Sequence, residues 1–591
     1  MWIRKHHRVS TDVDKCTEEH ESLPAFSYAA MLLLLPVVAS RVWSWVSRAG
    51  SSTVWDYGPA QFAFTIHRFA EGSPLYRDFH DPPYVPVPYG PVVPYAVALL
   101  SHSFGSGPMG ALEAGRALTI AATLAVCILI YLMGRRSAAS RGAALIAALA
   151  FALSPMLEPW GFEFRVDMPG LAFELAGLYL FSLGRGYWAI ASFVVGFFTK
   201  PYHFAGIGAV ALSCWFAGEW RKGLGLLATW AGIVVLGTLV LQAVFPYYLL
   251  NTFEELSPLY NSLRIALVFP TWMLVGNFSI FILAAAAVVE SSRARRLSVL
   301  FLVVAAFQDL IACMRWGSNV YYLLPTLAAL TIISANGIDV LIRLVARSTR
   351  LRQAWIGAAL AVSVLAQLYV VSIAYSGYKS ISVAELARAG LRCCYISDAP
   401  RLDPAALRLL GQIDGPILTD MPELLLADER KSIWFMELFV LPGMRERGLF
   451  DDGPLLAMIR ERRIAAIALG RESLERQWAG IACFWPDLKA AIVDNYYTVS
   501  SVGPPYIALP RSRVGGEERR GEHAEALRAK RQPESSWAQQ RCGSGGGLAF
   551  AGLSTANGSM SSLIRLSGRA GGSLCDEATS HGRLLRGNIG D

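Results

Sequence analysis

The chain has 591 residues, of which 54% are hydrophobic and only 17% charged, where a soluble protein of ordinary composition carries about 25% charged residues. The deficit lies in the first two thirds, as long apolar runs separated by short polar breaks, and it excludes an ordinary soluble enzyme. The net charge of +8 sits in short loops between those runs and in a basic tail, which is the pattern of membrane topology signals and excludes a nucleic-acid-binding surface.

Residues 1–24 carry the basic stretch Arg4-Lys5-His6-His7-Arg8 and read as a cytoplasmic N-terminus. The apolar run Phe26 to Val46 has only a weak small-residue site near Ala39-Ser40, so it reads as a retained anchor, not a cleaved signal. Further spans are expected near 111–133, 142–157, 168–183, 187–199, 202–218, 223–245, 271–289, 297–314, 321–345 and 355–375, about eleven in all with the first. The stretch 85–104 is a twelfth candidate, but its six prolines from Pro82 to Pro94 suit an interfacial segment better than a span. If it does not cross, Arg135, Arg136, Arg141, Arg221, Lys222, Arg293, Arg295, Arg296, Arg343, Arg347, Arg350 and Arg352 all fall on the cytoplasmic side. The loops 46–110, 158–167, 246–270 and 315–320, with everything after about residue 376, then face the exterior.

From 380 to 510 the pattern becomes mixed α/β. Gly415 to Asp420 reads as a short buried strand, Pro454 to Gly470 as an amphipathic helix running into a strand at Ile464–Leu469, and Tyr496 to Pro510 as two strands around a Gly-Pro turn. This predicts a small exterior accessory domain without a phosphate loop, nucleophile elbow or metal cluster. Residues 511–591 are Gly-, Ser-, Arg- and Glu-rich and are expected to be disordered, since such a segment buries too little apolar surface to offset its ordering entropy. The nine cysteines show no zinc or haem spacing. Cys393, Cys394 and Cys483 allow a disulfide if the domain is exported; inert thiols are the plainer reading.

The most elaborated polar stretch is the first exterior loop, and a loop neither short nor plainly disordered is usually functional. It contains "WDYG" at Trp55 to Gly58, a helix-like segment around Gln61 to Phe69, "GSPLYRDF", and "PPYVPVPYGPVVPY". Later come "RVDMPGLAFELAGLYLF", "GFFTKPYHFAG" and "GSNVYYLLP". In this order, over about residues 25–375, these motifs resemble the GT-C glycosyltransferases, in particular the bacterial branch related to protein O-mannosyltransferases and the aminoarabinose–lipid A transferase.

The resemblance implies a mainly α polytopic bundle of GT-C type in a bacterial inner membrane. It also implies inverting transfer of a sugar from a polyprenyl-phosphate carrier to an acceptor hydroxyl on a cell-envelope lipid, glycan or protein. Asp56 is then the candidate general base. Lys200, Arg165 and Arg315 are candidates for stabilising the departing lipid phosphate. Asp167 would orient the acceptor or a catalytic cation, and Tyr76, His80 and Asp81 would line the same cavity. Relatives often carry a second acidic residue beside the first; here Tyr57, Pro59 and Ala60 stand in those places. No cofactor is assigned, and a divalent cation stays open. Each residue also has a plainer role: Asp56 as a solvated loop acid, Asp167 as a helix cap, Lys200 as a snorkelling side chain. Arg165 and Arg315 suit interfacial anchors, and Tyr321 and Tyr322 an aromatic belt. The alternative function is a transporter or flippase of a lipid-linked saccharide, which would place its polar residues along a central pathway.

Overall fold

A computed structural model of the chain describes residues 25–52, 54, 57–254, 269–271, 273, 274, 276–289, 296–315, 319–345, 349–375, 403–427, 433–435, 441–470, 477, 478, 481, 482, 484–499 and 505–511. The N-terminal 24 residues, Asp56, Cys393, Cys394, Cys483 and the tail from 512 onward lie outside the described residues, and so do the expectations made for them.

Among the described residues, eleven long or medium helices form where the apolar runs predict spans, and five of them are long and apolar enough to cross a membrane. They are α1 (Ala25–Ala49), α4 (Gly107–Arg136), α5 (Arg141–Ala152), α6 (Asp167–Ser182), α7 (Gly186–Thr199), α8 (Ala205–Phe216), α9 (Trp220–Val244), α10 (Phe278–Val289), α11 (Arg296–Cys313), α12 (Leu324–Val345) and α13 (Arg350–Tyr375). Between α1 and α4 lie two helices of the first loop, α2 (Tyr57–Ala70) and α3 (Val92–Ser101). At 1.5 Å per residue the 10-residue α3 is about half as long as a hydrocarbon core of roughly 30 Å is thick. The 142–157 span is shorter than expected, α5 stopping at Ala152 before Pro155, and the 271–289 span is interrupted by a turn at Asn277, with helical residues described on both sides of it.

Local sequence explains most boundaries. Ser140 accepts the Ala143 amide at 3.2 Å and caps α5. Pro201 forces the residue before it out of helical geometry; Lys200 has φ −148° and ψ 119°, which ends α7 and turns its side chain toward α6. Lipid supplies no hydrophobic drive between helices, so close approach and buried polar contacts hold such a bundle. The Phe193 ring occupies the space a Cβ on Gly177 would need, letting α6 and α7 close. Arg41 of α1 donates to the Ala152 and Ser154 carbonyls at 3.0 Å each and pairs with Glu158 at 2.9 Å. In α11, Asp309 accepts the amide and hydroxyl of Thr326 in α12 at 3.0 and 2.6 Å.

The helices alternate in direction, giving the bundle two chemically distinct ends. Arg135, Arg136, Arg141, Arg221, Lys222, Arg296, Arg343 and Arg350 lie at one. There Asp339 accepts from Ser140 and Arg136 donates to the Ser182 carbonyl. The other end gathers the described residues of the connections 50–106, 153–166, 200–204, 245–254 and 314–323.

The described part of the C-terminal region stands over that second end. Strands β1 (Ile417–Thr419), β2 (Ile433–Phe435), β3 (Ala466–Leu469), β6 (Tyr496–Thr498) and β7 (Tyr506–Pro510) form one sheet in the order β2-β1-β3-β7-β6. The pairs β2–β1 and β1–β3 are parallel, β3–β7 and β7–β6 antiparallel. A separate hairpin pairs β4 (Gln477–Trp478) with β5 (Ile481–Ala482). The fully buried Ile417–Thr419 and Ala466–Leu469 form the sheet centre, as continuous apolar runs in a doubly covered sheet should.

Candidate active site

Three charged residues meet at the loop-rich end of the bundle. Asp167 opens α6, Lys200 closes α7, and Arg165 lies just before α6. All three side chains are buried, although charged groups are almost never buried unless paired. Lys200 Nζ donates to Asp167 Oδ1 at 2.6 Å. Its charge also lies 3.9 Å from the Tyr322 ring centroid, 4.8 Å from Tyr202 and 5.2 Å from Tyr321. Arg165 donates from Nη1 to the Tyr89 hydroxyl at 3.1 Å and stacks 5.1 Å from the Tyr321 centroid and 5.5 Å from Trp160. Burial pushes the Tyr89 phenol above its ordinary value, so it stays protonated and serves Arg165 as a neutral partner.

These contacts settle several of the plainer readings. Lys200 does not snorkel; it turns inward to a carboxylate. Asp167 occupies the first helical position, just after the N-cap Val166, where a carboxylate also favours the helix N-terminus. Its Oδ2 is buried without a hydrogen-bond partner among the described residues, open to a cation or an acceptor hydroxyl. Tyr321 and Tyr322 are 5% and 8% exposed, so they face the cations and not a lipid interface. They belong to a single 3-10 turn, Val320–Leu323, whose Asn319 accepts the Val320 amide. The turn is tied down by the Tyr202 hydroxyl, which donates to the Tyr322 carbonyl at 2.7 Å. Arg315 is half-buried on the connection leading into this turn.

The first loop reaches the same place by both ends. On one side, the guanidinium of Arg165 fills the space a Cβ on Gly58 would need, so α2 begins in contact with it. Asp56 lies two residues earlier in sequence, outside the described residues. Upstream, Arg116 donates to the carbonyls of Ala49 at 3.2 Å and Ser51, and to Glu163 at 2.8 and 2.9 Å. On the other side, Gly90 donates to the Thr199 carbonyl at 3.2 Å, and a Cβ there would overlap the Phe198 carbonyl. Glycine permits that approach and brings Tyr89 over Arg165.

The remaining candidates have different surroundings. Tyr76 is buried and donates to the Tyr89 carbonyl at 2.8 Å, edge-to-face with Phe245 and Tyr248; it buttresses the extended strap Val85–Gly90 that carries Tyr89. His80 was expected to line the cavity with Asp81. It instead faces the C-terminal domain, its Nε2 donating to the Leu449 carbonyl at 3.0 Å, because Phe79 beside it is drawn into that domain's core. Asp81 is exposed and its carbonyl closes a turn with the Tyr84 amide. Sequence reasoning missed Tyr89, Trp160 and Tyr202 as members of the site; an aromatic wedged into Pro88-Tyr89-Gly90-Pro91 was the one local signal. Deeper in the bundle, His203 Nδ1 lies 3.0 Å from Glu174 Oε2, and Glu174 Oε1 accepts the Gly206 amide at 2.8 Å. This pair staples α6 to the start of α8.

No family model and no curated protein sequence matches the chain. Solved structures do. ArnT from Cupriavidus metallidurans bound to undecaprenyl phosphate is 14% identical with a TM-score of 0.52, covering 82% of this chain and 99% of that one. The same protein in the apo state is 13% identical with a TM-score of 0.49, covering 81% and 98%. The Archaeoglobus fulgidus oligosaccharyltransferase in the apo form is 12% identical with a TM-score of 0.48, covering 83% and 75%. The first likeness, over 82% of the chain, shows the GT-C fold.

Proposed function

We propose that this chain is an inverting glycosyltransferase that moves a sugar from a polyprenyl-phosphate carrier to an acceptor hydroxyl at the exterior face of the membrane. The observation that carries the reading is the convergence of Arg165, Asp167 and Lys200, in an aromatic surround, at the end of the bundle that holds the first loop. A transporter would distribute such charges along a central pathway. The fold likeness to a protein bound to undecaprenyl phosphate supports a lipid-phosphate donor here.

The chemistry follows from charge. The acceptor oxygen attacks the anomeric carbon opposite the lipid phosphate; the new C–O bond forms as the C–O bond to phosphate breaks, and the configuration inverts. The hydroxyl proton passes to Asp56, which acts without a paired acid beside it. The departing phosphate takes the bonding electrons and needs positive charge held in a low-dielectric site. Lys200 uses one of its three N–H bonds on Asp167, leaving two for phosphate oxygen. Arg165, steadied by Tyr89, is the second cation. Asp167, through its open Oδ2, orients the acceptor.

Membranes carrying the protein, incubated with a panel of polyprenyl-phosphate sugars, should consume one of them, releasing the lipid phosphate. Asp56→Asn should abolish that consumption with normal expression and membrane insertion. Wild-type turnover in this variant would remove Asp56 as the base.

A further inference from the structure

The C-terminal sheet and the strap that carries Tyr89 share one core. Phe79 and Tyr84, each 1% exposed, belong to the apolar cluster of Leu418, Leu441, Phe450 and Trp485. Tyr84 meets Trp434 and Phe450 edge-to-face. Its φ of 59° lies in a left-handed region that bulky L-residues rarely adopt and that persists only where the surroundings over-determine it. His80 stacks on Phe450 as well as bonding the Leu449 carbonyl. Phe435 in the edge strand β2 donates its amide to the Pro83 carbonyl at 3.0 Å, so the loop covers an otherwise open sheet edge. Val85 joins Phe64 of α2 with Leu425, Ile433 and Phe435.

Five residues beyond Tyr84 the same strap reaches the cations. Between them it is fixed to the bundle, the Val87 amide donating to Asn251 Oδ1 at 3.0 Å and the Pro86 carbonyl accepting from Gln61 at 3.2 Å. Every residue from Pro83 to Val87 is buried, leaving no slack between the two anchors.

We propose that the C-terminal domain is a positioning element of the active site: by holding Phe79 and Tyr84 in its core it sets the strap Val85–Gly90, and through Tyr89 the guanidinium of Arg165. Its effect on turnover rests on the glycosyl-transfer reading; the mechanical link does not. The domain is therefore more than an accessory tethered to the last helix.

The test uses the full chain in lipid nanodiscs, with Phe450→Ala, Phe450→Leu, Tyr89→Phe and the Tyr89→Phe/Phe450→Ala double variant. Hydrogen exchange reads the Val87 and Gly90 amides, whose acceptors Asn251 and Thr199 lie outside the C-terminal domain. In Phe450→Ala these amides should exchange about tenfold faster while α6 keeps its protection, which separates release of the strap from misfolding of the bundle. With the donor that wild type consumes, Phe450→Ala should lower kcat about tenfold with KM within about twofold, Phe450→Leu should restore it, and the double variant should fall no further than the lower single one. Unchanged exchange at Val87 and Gly90, or losses that multiply to about a hundredfold, would overturn the proposal. If wild type consumes no donor in the panel, the functional reading fails, and the exchange arm still decides the link.

Discussion

Asp167 and Lys200 depend on each other for their burial. A carboxylate and an ammonium at 2.6 Å, each about 5% exposed or less, are tolerable away from water because each offsets the other's charge. Removing one leaves an uncompensated buried ion at a cost of about 3–5 kcal/mol. Asp167→Asn and Lys200→Met should each lower the thermal midpoint in detergent, and each should lose donor consumption. The Asp167→Asn/Lys200→Met double variant should regain most of the stability and none of the activity. A double variant no more stable than the singles would show that the two charges do not act as a pair. Residue types and motif order already pointed to Lys200, Arg165 and Asp167. Their mutual contact was hidden, because 33 positions separate Asp167 from Lys200 and the α6–α7 hairpin, turning at Leu183–Arg185, brings them together. Tyr89 was hidden for the same reason: an aromatic among prolines in a linear sequence does not reveal that its hydroxyl meets an arginine 76 positions away.

The strap between α2 and α3 is the element on which the site depends. It is neither helix nor strand, and it holds its course through bonds to three other segments, at Gln61, Asn251 and Thr199, and through Tyr76 earlier in the same loop. Gly90 is where this element has least room. Gly90→Ala forces a methyl group onto the Phe198 carbonyl, and helix backbone cannot yield as a flexible side chain would. The expected result is loss of at least tenfold in donor turnover, following the sensitivity of reacting geometry to misplacements of about 1 Å, with α4 and α6 still protected from exchange. Near wild-type turnover would show that the strap has freedom at this point. The helices themselves were legible from apolar periodicity and length. The end of α5 was not, because an apolar run continues through the turn that follows a span as readily as through the span.

For the whole molecule, the two ends of the bundle predict opposite chemical accessibility. Single cysteines replacing Ser103, on the exposed turn after α3, and Glu219, on the exposed turn before α9, separate them. In a background with the nine native cysteines changed to serine, a membrane-impermeant maleimide applied to intact cells should label position 103 and not 219. The reverse pattern would place the arginine-bearing turns outside and invert the topology. Sequence by itself determined what depends on composition and period: a polytopic helical bundle, short strands after it, and a first loop too elaborate to be a mere connection. Hydropathy and charge act residue by residue, so they survive in a linear reading. Tertiary structure decided which polar groups meet, that Tyr321 and Tyr322 face cations instead of lipid, and that His80 belongs to the C-terminal domain. Those outcomes rest on distances between segments far apart in the chain, set by helix packing and by the bonds that pin each loop, and no local pattern encodes them.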